Sequence, residues 1–195
     1  MKKWMATILM SLILLPALSG CAGLLIGGVA TGAVLANDRR TAGTIVEDQS
    51  IELKAKHALK QDDALRTEAH LVVVSFNNSV LLAGEAPNSA LKQRAEKIVG
   101  NTEKVRRVHN ELKVSAPTSM GSRSSDTLIT TKVKSKLFGA AGLENFDATR
   151  IKVVTVNGAV YLMGLMTRPE GTAASDATRT VKGVERVVKL FEYIN

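Results

Sequence analysis

One cysteine, Cys21, in 195 residues leaves nothing for it to pair with. Neither an intramolecular disulfide nor a cysteine-based zinc site can hold this fold, so packing must do it. Aromatic residues make up only 4% of the chain, too few for the base-stacking platforms of a single-strand nucleic-acid binder. The three histidines, His57, His70 and His109, stand at no metal-ligand spacing. No HExxH, CxxC, GxSxG or phosphate-loop pattern occurs. His57 and His109 read as solvated or edge residues, and Asp62-Asp63 as a loop after a helix rather than an acid/base pair. The expectation is a non-enzyme with no metal and no diffusible cofactor.

What is there begins with Cys21 itself. It closes Leu18-Ser19-Gly20-Cys21, behind an apolar run from Trp4 to Leu18 and the positive pair Lys2 and Lys3. That run is too short to span a bilayer, which takes about 20 residues. Charged start, apolar middle and small-residue cleavage point read as a bacterial lipoprotein leader, residues 1–20. The thiol of Cys21 would carry a diacylglycerol and its freed amine a further acyl chain, enough for lasting attachment. Ala22, where retention in the inner membrane commonly uses Asp, favours the outer membrane, facing the periplasm. Removing Lys2 and Lys3 with the leader lowers the formal charge from +8 to +6. An excess of this sign favours acidic phospholipid or lipopolysaccharide as partner over nucleic acid.

Past the anchor, residues 21–46 read as a lipidated tether. A repeat then sets the architecture. The segment Ser75 to Gly84 returns as Thr155 to Gly164, Ile51 to Lys56 as Ile129 to Lys134, and Val105 to Val108 as Val184 to Val187, in the same order. Two modules, 47–114 and 126–195, are joined by a linker over 115–125, where Pro117, Gly121 and several serines break periodicity.

Each module opens with an amphipathic helix, its apolar residues at Ile51, Ala55 and Leu59 or at Ile129, Val133 and Leu137. Two strands flank Asn77-Asn78 in one copy and Asn157-Gly158 in the other, the latter a strong signal for a tight hairpin with positive φ. A second helix follows Asn88-Ser89 or Arg168-Pro169, and a strand from Val105 or Val184 completes the unit. The fold class is α+β: α-β-β-α-β twice, each with a small three-stranded mixed sheet packed on two helices.

These residues resemble the BON domain. Its amphipathic helix, Asn-Gly hairpin leading to Val-x-Leu-x-Gly, and Gly-Val-x-x-Val strand are intact in the second copy at Asn157-Gly158, Val160 to Gly164 and Gly183 to Val187. The first copy departs at Asn78 and Lys104, each in the place of a glycine, so its turns are expected to differ. A lipoprotein leader followed by two such modules resembles the dual-BON outer-membrane lipoproteins. That resemblance implies binding of anionic phospholipid, chiefly phosphatidylglycerol, through the first helix of the second module. It also implies support of envelope integrity, a place at division sites, and partners among outer-membrane assembly or division proteins.

A helical projection at about 100° per residue identifies the candidate surface. With Ile129 at zero, Val133 and Leu137 form the core stripe. Leu128 and Phe138 point away, with Thr131 and Ser135 between them, Lys134 beside them and Lys132 on the opposite border. An outward face with apolar ends and flanking lysines suits an anionic interface. The expected lipid-binding set is therefore Leu128, Thr131, Lys132, Lys134, Ser135 and Phe138. In the first module Ser50 and Lys60 stand in place of Leu128 and Phe138, and Leu53 alone is apolar and outward. The rival reading is a periplasmic protein-interaction adaptor or chaperone-like factor using this face or an open sheet edge.

Overall fold

The computed structural model describes residues 38–139 and 146–195. Cys21, the leader and residues 21–37 of the tether lie outside the described residues. In the first module α1 (Ala42–Lys60) and a short α2 (Asp63–Glu68) precede β1 (His70–Phe76), β2 (Ser79–Ala86), α3 (Ser89–Gly100) and β3 (Arg107–Val114). The second has α4 (Met120–Gly139), a 3-10 turn (Ala148–Arg150), β4 (Lys152–Val156), β5 (Ala159–Met166), α5 (Arg168–Arg179) and β6 (Arg186–Tyr193). In each sheet the central strand pairs antiparallel with the hairpin partner before it and parallel with the last strand. The sheets are mixed and three-stranded, and two long helices cover one face of each.

Local chemistry accounts for the element limits. Asn88 caps α3 through Leu91 N–H, and Thr167 with Glu170 forms a capping box on α5 that has Pro169 in its first turn. Asp62, in the stretch read as a loop, caps α2 through Leu65 N–H instead. The first module's turns keep positive φ at the same positions as the second's, though with residues other than glycine. Asn77 and Asn78 hold φ of 51° and 61°, against 51° and 70° at Asn157 and Gly158, and Lys104 holds 69° where Gly183 holds 99°. Asparagine tolerates this region; a lysine does so at a cost in strain.

The strongest departure from the sequence reading is what covers the other face of each sheet. Period-2 alternation sends Val80 and Leu82 of β2 to their helices, and Leu81 and Ala83 to the opposite side. Val160 and Leu162 of β5 do the same, with Tyr161 and Met163 on the far side. Leu81, Ala83 and Phe76 pack directly on Val156, Ala159, Tyr161 and Met163, making a third core from both modules. The architecture is helices, sheet, sheet, helices.

Two stretches placed outside the modules by sequence turn out to be built into them. The tether's last residues fold: α1 starts at Ala42, Arg40 holds Asp38 and Asp48 at 2.7 and 2.8 Å, and its guanidinium lies 3.9 Å over Phe76. Arg39 reaches the second module, donating to Glu170 and to the Leu165 carbonyl. In the linker, Thr118 donates to buried Glu85, and α4 begins at Met120. Pro117 and the serines break the apolar period without preventing a solvent-facing helical start.

Candidate functional site

Helix α4 is fixed by its buried stripe, Ile129, Val133 and Leu137, and by Asp126, whose carboxylate accepts the hairpin N–H groups of Asn157 and Gly158 at 2.8 and 2.9 Å. In the first module Asp48 of α1 accepts the N–H groups of Asn77 and Asn78 at 2.7 and 2.8 Å. Each opening helix is thereby locked in rotation by a carboxylate bonded to its own hairpin. The outward face of α4 is determined as firmly as its core face.

That face carries all six expected residues. Leu128 and Phe138 are each 62% exposed. Thr131, Lys132, Lys134 and Ser135 are exposed as well, and the Thr131 hydroxyl donates back to the Thr127 carbonyl at 3.0 Å. Because α4 starts early, the face also gains Met120, 73% exposed. Met120 falls at the same helical angle as Phe138, about 27 Å along the axis. Its signal was local, a large apolar residue in a serine-rich stretch, and the broken periodicity hid it.

The electrostatics of α4 are one-sided. Lys132, Lys134 and Lys136 are exposed and have no acid partner among the described residues, and Asp126, the helix's acid, is buried against the hairpin. The opening helix of the first module differs more in charge than in apolar content. Val46 and Leu53 there are 64% and 71% exposed, so it presents two outward apolar residues and not the single one expected. Two of its three lysines are neutralised, however, and only Lys60 at its end is not. Lys54 meets Glu103, Lys56 meets Glu52, and Glu52 also takes Lys152 from the second module.

His57 is exposed, and burial together with neighbouring Arg107 pushes half-buried His109 below its ordinary value. His70 lies 2.9 Å from buried Glu85. Among the described residues no cluster of three His, Cys, Asp or Glu side chains is placed to hold a metal.

The BON-domain model matches residues 47–116 and 125–195. This chain belongs to the BON-domain family. It is 39% identical over 178 residues to the outer membrane lipoprotein DolP of Haemophilus influenzae, covering 91% of each chain. It is 36% identical to a 21 kDa hemolysin of Actinobacillus pleuropneumoniae, over 80% of this chain and 79% of that one. To the osmotically inducible protein Y of Escherichia coli it is 26% identical, over 74% and 72%. Within the BON family the chain is one of the dual-BON outer-membrane lipoproteins, and its two BON modules are the two α/β units described above. No helix among the described residues is long and apolar enough to cross a membrane.

Proposed function

We propose that this lipoprotein binds anionic phospholipid, of the phosphatidylglycerol type, through the outward face of α4, with Cys21 lipidated and the folded modules on the periplasmic side of the outer membrane. Its role is then binding rather than catalysis. The envelope-integrity and division-site roles implied by the resemblance would follow from this contact.

The observation that carries the reading is the pairing of Leu128 and Phe138, each 62% exposed, with three lysines that no acid among the described residues neutralises. Partial burial of each apolar side chain contributes about 1.5 to 3 kcal/mol at most. Each lysine near an anionic leaflet adds about 1 kcal/mol. Such binding is weak and reversible alone, and becomes effective once an acyl anchor confines the domain to its own leaflet.

The test is sedimentation of the unlipidated protein with vesicles. It is expected to pellet with phosphatidylglycerol, to stay in solution with phosphatidylcholine, and to release as salt rises. Leu128→Glu with Phe138→Glu should abolish pelleting; undiminished binding by that double variant would sink the site. No binding of the parent protein to either vesicle would favour the adaptor reading.

A further inference from the structure

The first BON module has a cavity that the bilayer contact leaves unused. It is a cleft of about 310 Å³, open to solvent on one side, between α1, α2 and β1, at the small end of the range for ligand pockets. Leu59, Leu65, Leu71, Val73 and Ala69 line it, and Lys56, Lys60 and Arg66 complete the lining. Leu59, Leu65 and Val73 are also core residues, so the apolar wall runs into the module's interior. Two of the cations have a nearby acid: Lys56 holds Glu52 at 3.0 Å and Arg66 holds Asp63 at 2.7 Å, both pairs partly in water. Lys60 has no acid partner among the described residues.

An apolar pocket bordered by cations discriminates in two ways. Its wall favours hydrocarbon over any polar group, which would lose its water without gaining a hydrogen bond. Its border favours a negative head and repels a positive one. Exposed pairs such as Arg66 with Asp63 are weak and exchange partners readily. A cleft this small seats one alkyl chain.

We propose that this cavity takes the alkyl chain of an anionic single-chain amphiphile, a fatty acid or a lysophospholipid, with Lys60 as the first contact of its head group and Lys56 and Arg66 beside it. The site shares no residue with the outward face of α4 and does not depend on bilayer binding there. It equips one module for single-chain lipid while the other meets the membrane surface.

Methyl NMR on the folded unit 38–195, which contains all three cores, tests this. Dodecanoate and a dodecanoyl lysophosphatidylglycerol are titrated below their micelle-forming concentrations, with dodecyltrimethylammonium as the cationic control. The expected result is shifts at Leu59, Leu65, Leu71 and Val73, with the cationic amphiphile at least tenfold weaker. The surface variant Lys60→Glu should weaken binding several-fold, and Ala69→Phe, which fills the cavity, should abolish it. Leu128→Glu with Phe138→Glu should leave it unchanged. Shifts with dodecanoate alone assign the site to fatty acid, and shifts with the lysolipid assign it to lysophospholipid. Equal binding of the cationic amphiphile, shifts confined to α4, or no shift with either anion would overturn the proposal.

Discussion

The Arg39 guanidinium holds both carboxylate oxygens of Glu170 at 2.8 Å, although 131 positions separate the two residues. Arg40, its neighbour, is bound to Asp48 of the other module. Two consecutive arginines therefore join both BON modules where the chain enters the folded unit.

Glu170 gives this junction a pH signature. Burial opposes ionisation of its carboxyl, but the hydrogen bonds from Arg39 and Thr167 outweigh that and hold it down at about 2, from an ordinary 4.5. A folded-state value below the unfolded one means a stabilisation that is complete above about pH 4.5 and is lost as pH falls toward 2. Arg39→Gln should cost about 2 kcal/mol near neutrality. Thermal unfolding should show the gap between parent and variant closing between pH 4.5 and 2; a gap independent of pH would count against the assignment.

Asp126 serves two hairpin N–H groups at once, that of Gly158 buried and that of Asn157 partly so. Asp126→Ala leaves both without an acceptor and should cost about 3 kcal/mol, since each orphaned donor costs roughly 1 to 3 kcal/mol. Chemical denaturation should show the loss. Hydrogen exchange should become faster first at Asn157 and Gly158, the turn that Asp126 pins.

The repeated glycines of β2 and β5 are unequal. A Cβ on Gly84 would lie 1.9 Å from the His70 carbonyl oxygen, on a backbone with φ of 115°, whereas one on Gly164 would lie 2.9 Å from the Arg150 carbonyl. Gly84→Ala should destabilise by about 3 kcal/mol or more, because two paired strands must separate. Gly164→Ala should cost clearly less. Comparing the two midpoints in urea checks the ordering, and equal losses would refute it.

At Lys104 the left-handed backbone and the ion pair with Glu47 pull in opposite directions. Lys104→Ala loses the pair and keeps the strain; Lys104→Gly loses the pair and removes the strain. The glycine variant should melt above the alanine one. The reverse order would mean that the turn is unstrained.

Much of this was legible in the sequence wherever the determinant is local. Asn157-Gly158 announces its hairpin, and the spacing of Ile129, Val133 and Leu137 fixes which face of α4 is buried and leaves Leu128 and Phe138 outside. What escaped depends on partners far along the chain. The unbroken apolar runs Val80 to Ala83 and Val160 to Met163 are the mark of strands buried on both faces, yet nothing local says that each module covers the other. Arg39 and Arg40 look like tether until Glu170 and Asp48 are seen beside them. Val46 escaped because its helix starts earlier than the repeat suggested, and Met120 for the same reason.

The two opening helices provide the sharpest control for membrane binding, since Val46 and Leu53 are as exposed as Leu128 and Phe138. The measurement is cosedimentation with phosphatidylglycerol vesicles of two double variants, Val46→Glu with Leu53→Glu and Leu128→Glu with Phe138→Glu, both first shown to be folded. Near-parental binding is expected for the first and loss of at least tenfold for the second. Equal losses, or a larger loss for the first, would contradict binding through α4.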